Sequence, residues 1–272
     1  MNPDHRPEGI DVDRPNAART YDWALGGTVN FAVDRYYGEA AVKAYPQLRE
    51  AAQANRAFLG RAVRYCVANV ITQFLDLGSG IPNMGNVHEI ADEADDETRC
   101  VYVDIEPVAV AHARMLLDEA GDPARHAMLQ ADLCDADKVW QAVLDTGILD
   151  PDRPIGLLTV AVLHFLPDAT GVHDSIERYR ELLPPESMYV LSHLTDSGVD
   201  NTQQTQLREL ADNSKKSSTP GVLRSYEQIM TFFGDFELIE PGLVPVGQWH
   251  PAPDDPGTTI KTAIGGIARK PR

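Results

Sequence analysis

Two glycines that follow closely on an acidic residue are the part of the sequence best suited to chemistry. A short apolar run leads to Asp76, and Gly78 and Gly80 come directly after it. Because glycine lacks a Cβ atom, the backbone there can adopt left-handed angles and approach a ligand closely. Asp76 would lie at the carboxyl end of a buried strand, where α/β proteins bind their ligands. The pattern therefore predicts a strand, a glycine turn and a nucleotide-type cofactor.

Two further strand-like runs end in an acidic residue. Residues 100–103 lead to Asp104, and residues 128–131 lead to Asp132. The three aspartates, Asp76, Asp104 and Asp132, are therefore evenly spaced along the chain. A carboxylate at Asp104 can accept hydrogen bonds from both hydroxyls of a ribose. A cofactor that contains a ribose would thus lie across the ends of neighbouring strands.

The segments between these runs have helical features. Asn86 and Glu89 form a capping-box pattern, and Pro107 stands where a second amphipathic helix would begin. Strand and helix alternate in this way from about residue 70 to residue 195. Such alternation is typical of a mostly parallel sheet with helices on both faces.

These motifs resemble, in order and spacing, the cofactor motifs of class I S-adenosylmethionine-dependent methyltransferases. More narrowly, the chain resembles a family of predicted methyltransferases first catalogued as a domain of unknown function. The second resemblance covers nearly the whole chain, and the segments that carry it are residues 14–19, 21–22, 25–27, 30–31, 34–35, 55–56, 86–89 and 240–244.

The resemblance implies an α/β, Rossmann-like class I methyltransferase fold. Its sheet would be mostly parallel and seven-stranded with an antiparallel last strand, with helices on both faces and an N-terminal helical arm. The implied cofactor is S-adenosylmethionine. Its methionine part would lie beside Gly78 and Gly80, its ribose at Asp104 and its adenine at Ile105. Asp132 and Leu133 would lie at the polar edge of the adenine.

The chain before residue 70 has a character of its own. We predict that residues 1–69 form an arm and helices that cover the cofactor cleft, and that residues 70–272 form the S-adenosylmethionine-binding methyltransferase domain. Aromatic and polar residues of the arm, Tyr21 and Asn30 among them, would fold over the cofactor and exclude water. A structural arm that contacts no ligand stays an open alternative.

The best candidate for a general base is His164, which follows the fourth predicted strand. An ordinary imidazole has a pKa of about 6.5 and accepts a proton at neutral pH. A histidine beside an apolar run also suits the protein core, and His193 is a weaker candidate for the base. Not every methyl acceptor needs a base, so the sequence leaves the acceptor atom undefined.

Two other functions compete with methyl transfer. A nicotinamide-dependent enzyme would need a third glycine for its pyrophosphate turn, but Asn83 stands at that position. A protein that binds S-adenosylmethionine only as a regulator or partner is the second alternative. The polar segment 195–219 is either a lid on the substrate side or a solvated insertion.

Composition narrows the class of substrate. The chain has 272 residues and a formal charge of −17, which repels nucleic-acid phosphates, so we expect a small-molecule acceptor and no nucleic-acid partner. No apolar run is long enough for a membrane span, and the polar first residues lack a secretory signal, so a cytoplasmic location is expected. The three cysteines are expected to be free thiols rather than a metal site.

Overall fold

The computed structural model describes residues 11–82, 85–251, 258 and 260–272. Within these residues the helices are α1 Ala17–Ala24, α2 Ala32–Ala44, α3 Leu48–Ala68, α4 Val87–Asp92, α5 Pro107–Ala120, α6 Ala136–Asp145, α7 Val172–Leu182, α8 Asn201–Ser214 and α9 Tyr226–Met230. The strands are β1 Gln73–Leu77, β2 Arg99–Asp104, β3 His126–Gln130, β4 Gly156–Val160, β5 Met188–Leu194, β6 Glu237–Leu238, β7 Val244–Pro245 and β8 Ala263–Arg269.

These strands form one sheet in the order β3-β2-β1-β4-β5-β8-β6, and β7 also pairs with β8. The pairs among β1 to β5 are parallel, whereas β8 is antiparallel to β5, β6 and β7. The predicted Rossmann-like α/β fold is confirmed. The described sheet has eight strands rather than seven, because the two-residue β7 is too short to produce an alternating sequence pattern.

The central strands are apolar because both faces of the sheet are covered. All five residues of β1 are buried, and so are all but the first residue of β2. A parallel sheet with helices on both faces produces such continuous apolar runs. The carboxyl ends of β1, β2 and β4 therefore open at one edge, and the loops there carry the candidate site.

Local signals placed the helix ends correctly. Asn86 and Glu89 form the predicted capping box before α4, and Pro107 is the first residue of α5. A second capping box, Ser225 with Gln228, opens α9. In each case the helix begins where a side chain accepts a hydrogen bond from a free N–H group of the first turn, or where a proline has no N–H group to satisfy.

The long helix α3 packs an apolar stripe against the sheet. Phe58, Val63 and Cys66 are fully buried, and Trp249 packs edge-on against Phe58 with ring centroids 5.7 Å apart. Val70 continues the helical spacing of these apolar residues in the sequence, but it lies past the end of the helix and is exposed. Its positive φ of 66° shows that the helix has already ended.

The apolar run 155–165 is not one strand. β4 ends at Val160, Ala161 takes a φ of 57°, and Leu163–Phe165 form a 3-10 turn. The backbone N–H of Ala161 donates to the Ser192 hydroxyl at 3.0 Å, which holds the bend against β5. Hydrophobicity alone could not show this bend, since buried strands and buried turns are both apolar.

Segment 195–219 contains the 14-residue helix α8. Asp200 caps it by accepting from the Gln203 N–H at 2.9 Å. Among the described residues, no helix has the length and apolar character needed to cross a membrane. Asn83 and the first ten residues, on which some of our predictions rest, lie outside the described residues.

Candidate active site

The glycine turn after β1 has the predicted left-handed geometry. Gly78 and Gly80 have φ values of 71° and 68°. A Cβ atom on Gly78 would collide with Val162, so this glycine is needed for the loop after β4 to pack on the turn. The corresponding direction at Gly80 is open space. Only Gly80 therefore leaves room beside the turn for a ligand.

Asp104, at the end of β2, stabilises this turn through hydrogen bonds. One carboxylate oxygen accepts from the Gly80 N–H at 2.7 Å, and the other accepts from the Glu106 N–H at 2.8 Å. Burial raises the pKa of the Asp104 carboxyl, and these backbone hydrogen bonds oppose the shift. Each oxygen keeps a lone pair that a ligand hydroxyl can use.

A cavity of about 480 Å³ opens above the ends of β1, β2 and β4; we call it the larger cavity. Its walls come from the strand ends on one side and from α1 and α3 on the other. Of the residues predicted to bind a cofactor, it brings together Asp76, Gly78, Gly80, Asp104, Ile105, Asp132, Leu133 and Tyr21.

Asp76 adds a second buried carboxyl to this cavity. Burial raises its pKa to about 7, the positive charge of Arg56 opposes the shift, and the nearby Asp104 adds to it. A cationic ligand group beside a carboxyl with such a raised pKa lowers that pKa and stabilises the ionised form.

The adenine-side residues differ in exposure. Ile105 is an apolar side chain with 58% of its surface exposed, although it lines the larger cavity. Leu133 is buried, whereas Asp132 is exposed and accepts from the Cys134 N–H at 2.9 Å. The apolar side chain of Ile105 is therefore largely exposed at the cavity.

Asn30 is not brought to the larger cavity. Its side-chain amide donates to Asp22 Oδ2 at 2.8 Å and to the Gly27 carbonyl at 2.9 Å. Its carbonyl oxygen accepts from Arg35 at 3.1 Å. These bonds fold the turn between α1 and α2, so the structure gives Asn30 a local structural role.

A second, smaller cavity of about 130 Å³ lies next to the first. We call it the smaller cavity. The two share part of their walls, and the side of the smaller one away from the strands is formed by α8 and the segment 217–223. The residues that line both are Ala17, Tyr21, Asn55, Ala161, Phe165 and Thr219.

A chain of hydrogen bonds crosses this shared wall. The Asn55 amide donates to the Tyr21 hydroxyl at 3.0 Å, and the Tyr21 hydroxyl donates to the Ala52 carbonyl at 3.1 Å. The Ser192 hydroxyl donates to Asn55 Oδ1. Burial raises the pKa of Tyr21, so its hydroxyl stays neutral at physiological pH. The chain fixes α1 and α3 relative to β5.

His164 lines the smaller cavity and not the larger one. Its Nδ1 atom is buried and has no hydrogen-bond partner among the described residues. Burial holds the pKa of the imidazole well below 6.5, and the neighbouring His193 and Arg224 lower it further. The ring is therefore neutral at pH 7, and in one of its two tautomers Nδ1 can accept a hydrogen bond.

His193 is engaged on both sides, unlike His164. Its Nε2 atom accepts from Arg224 at 3.0 Å, so its Nδ1–H donates to the Leu194 carbonyl at 2.6 Å. Arg224 also donates to the carbonyls of Leu163 and Leu166, which flank His164 in the chain. Arg224 thus holds the His164 turn in place, a role for which the sequence offered no motif.

Arg19, like Arg224, is a buried cation, and no sequence motif predicted its role. It donates to Asp34 Oδ2 at 2.9 Å and to Glu106 Oε1 at 2.6 Å. Arg19 and Asp34 are almost fully buried. Glu106 follows Ile105 directly and belongs to the loop after β2. This arginine therefore connects the arm to the loop beside Asp104, the predicted ribose carboxylate. Among the described residues, no cluster of three or more histidines, cysteines or carboxylates is arranged to hold a metal ion.

Comparison with known proteins identifies this architecture. A model of a family described as S-adenosyl methyltransferase matches residues 3–271. No protein among those with curated descriptions matches the chain significantly.

Solved structures agree over the full length. A "putative methyltransferase" from Thermobifida fusca YX is 36% identical, with a TM-score of 0.88 and 98% of both chains covered. A DUF574 family protein from Streptomyces avermitilis MA-4680 is 32% identical, with a TM-score of 0.89 over 96% of this chain and 99% of that one. The S-adenosylmethionine-dependent methyltransferase SibL, 13% identical with a TM-score of 0.52, shares the fold over 91% of this chain and 61% of its own.

Proposed function

Because the chain belongs to the S-adenosyl methyltransferase family and is an S-adenosylmethionine-dependent methyltransferase, we propose that its two cavities divide the reaction between them. The larger cavity binds S-adenosylmethionine, and the smaller cavity binds a small-molecule methyl acceptor. The observation that carries the proposal is the shared wall, where Tyr21, Asn55 and Ala161 line both cavities.

The residues of the larger cavity fit this cofactor. A volume of about 480 Å³ is within the range of small-molecule sites. The Asp104 carboxylate can accept ribose hydroxyls, and the exposed side chain of Ile105 offers an apolar surface for adenine. Asp76 provides negative charge for an ammonium group. We propose Tyr21, Gly78, Gly80, Asp132 and Leu133 as the remaining contacts, and we leave Asn30 out.

When bound, the cofactor supplies an electrophilic methyl group, so the protein mainly has to align the acceptor with it. Alignment of two reactants is worth about 7–11 kcal/mol in favourable cases. The hydrogen-bonded chain of Tyr21, Asn55 and Ser192 fixes the wall between the two ligands. His164, on the acceptor side, is neutral and can take a proton from the acceptor.

Residues 1–69, of which the structure describes residues 11–69, act as the arm that closes the larger cavity. Two sets of contacts support this. Arg19 binds Glu106, and the Ala17 N–H donates to the Thr219 hydroxyl at 2.8 Å, so α1 is fastened both to the ribose side and to the acceptor side. A closed cavity would keep water from the reacting methyl group.

The acceptor is a small molecule rather than a nucleic acid. The formal charge of −17 supports this, because it opposes the approach of a phosphate backbone. We also propose a cytoplasmic location. The three free cysteines, Cys66, Cys100 and Cys134, support it, because disulfides are rare in reducing compartments.

The proposal is tested by incubating the protein with S-adenosylmethionine labelled in its methyl group and a library of small molecules, with DNA, RNA and protein tested in parallel. We expect label in small molecules only. The Gly80→Val variant should transfer none, because the new side chain strains a φ of 68° and fills the space beside the turn. Label that appears only in macromolecules would overturn the assignment of the smaller cavity.

A further inference from the structure

The smaller cavity has a lining without ionic groups. Its described walls contain no aspartate, glutamate, lysine or arginine, although 24% of the residues of the chain are charged. Leu207, Leu210 and Ala211 of α8 form one side, and burial keeps His164 and His193 neutral. An ion placed there would lose its hydration without gaining a partner, which costs several kcal/mol or more. The cavity therefore selects a neutral ligand.

Its volume limits the size of that ligand. At about 130 Å³ the cavity is close to the apolar cavity of ~150 Å³ that binds benzene in another protein. A molecule built around one six-membered ring fills such a space, whereas a fused multi-ring skeleton does not fit without movement of α8.

Two residues of the lining, Thr20 and His164, each have a buried polar atom that lacks a partner in the described part of the chain. Thr20 Oγ1 and His164 Nδ1 are both buried and make no hydrogen bond among the described residues. Several other polar side chains of the lining are paired within the protein, as in the chain of Tyr21, Asn55 and Ser192. Buried polar groups are rarely left unpaired in native proteins, so these two indicate a ligand that carries a hydrogen-bonding group.

We propose that the methyl acceptor is a neutral, single-ring molecule of the phenol type, bound in the smaller cavity with its hydroxyl at His164 Nδ1. This inference rests on the proposed function and names its substrate class. The acceptor O–H bond breaks and its proton passes to His164. The oxygen's electron pair forms the new O–CH₃ bond as the methyl–sulfur bond breaks and its electron pair stays on sulfur. The products are an aryl methyl ether and S-adenosylhomocysteine, and His164 returns its proton to solvent.

The test measures binding rather than turnover. Protein saturated with S-adenosylhomocysteine is titrated with phenol, benzoate and benzylamine, and binding is followed by NMR. These probes share one ring but are neutral, anionic and cationic at pH 7. We expect saturable binding of phenol alone. Thr20→Val, which removes a hydroxyl with little change in shape, should weaken phenol binding by roughly three- to tenfold.

A matched pair of variants on α8 locates the binding site. Ala211→Phe fills the smaller cavity and should abolish phenol binding, whereas Glu209→Phe, at an exposed position of the same helix, should not. Unchanged affinity for S-adenosylhomocysteine shows that both variants are folded.

The outcomes separate this inference from the function on which it rests. If S-adenosylhomocysteine binds but phenol does not, or if benzoate or benzylamine binds as tightly as phenol, the substrate class is wrong and the proposed function stands. Phenol binding that survives Ala211→Phe would also overturn the inference. The proposed function fails separately if no small molecule accepts label in the transfer assay.

Discussion

Arg19 Nη1 lies 2.6 Å from Glu106 Oε1, and this contact joins the N-terminal arm to the loop that follows β2. The same guanidinium binds the buried carboxylate of Asp34. Glu106 in turn donates its backbone N–H to Asp104. The position of the arm and the position of the predicted ribose carboxylate are therefore connected through three successive contacts.

Removing one end of this connection should weaken both stability and cofactor binding. Glu106→Ala removes the carboxylate that accepts from Arg19 and leaves the buried Arg19 Nη1 without this partner, so the free energy of unfolding should fall by about 1–3 kcal/mol. Affinity for S-adenosylhomocysteine should fall with it, because the arm closes less firmly. Urea unfolding and calorimetry measure the two effects. Asp137→Asn, which breaks an exposed pair with Arg178, is the control and should cost less than about 1 kcal/mol. Equal losses in both variants would contradict the role of Arg19.

Asp104 should matter more for the cofactor than for the fold. Asp104→Ala removes the proposed acceptor of the ribose hydroxyls, and affinity for S-adenosylhomocysteine should fall on the order of 100-fold, since two hydrogen bonds to a charged group are lost. It also frees the Gly80 and Glu106 N–H groups, so a smaller loss of stability is expected. Asp118→Ala, at an exposed position on α5, is the calorimetric control. Normal affinity in Asp104→Ala would show that the ribose is bound elsewhere.

The raised pKa of Asp76 makes a prediction about pH. Its pKa is about 7 in the folded protein and ~3.9 in an unfolded chain, so between these values the folded state holds a proton that the unfolded state has lost. Its contribution to stability is complete below pH ~4 and is lost as the pH rises to about 7. The Asp76→Asn variant has no titrating group at this position, so its stability should not fall in this way as the pH rises.

The stability of Asp76→Asn relative to the unmodified protein should therefore increase from pH 5 to pH 8. Urea midpoints at several pH values measure this difference. Asp118→Asn provides the baseline for removing an exposed carboxylate. A difference between Asp76→Asn and the unmodified protein that stays constant with pH would show that the carboxyl titrates normally.

His164 should affect turnover and not cofactor affinity. With an acceptor identified in the transfer assay, His164→Ala should lower kcat by about 10²–10⁴-fold, which is the usual contribution of a general base. Because the pKa is well below 6.5, the rate should stay flat from pH 8 to pH 6.5. Rate profiles against pH and calorimetry with S-adenosylhomocysteine test both points. An unchanged kcat would mean that His164 is a core residue only.

Much of the fold and of the cofactor site could be predicted because local patterns decide them. A run of apolar residues followed by Asp76 and two glycines specifies a buried strand and a left-handed turn, and both are present. Capping residues such as Asn86 fixed helix ends for the same reason: each acts on neighbours within one turn.

The acceptor side could not be predicted in this way. The smaller cavity is formed by α1, α3, α8 and the loop after β4, which are far apart in the sequence. Arg19 and Glu106 meet across 87 positions, and Arg224 meets His193 across 31. Such contacts depend on tertiary packing, which no local pattern encodes. Asn30 is a related case, because the sequence did not show that its side chain makes hydrogen bonds within its own turn.

The most direct measurement is a calorimetric titration of the unmodified protein with S-adenosylmethionine, S-adenosylhomocysteine and NAD. We expect saturable binding of the first two at one molecule per chain, and no binding of NAD. Binding of NAD, or failure of both adenosyl ligands to bind, would contradict the assignment of the larger cavity.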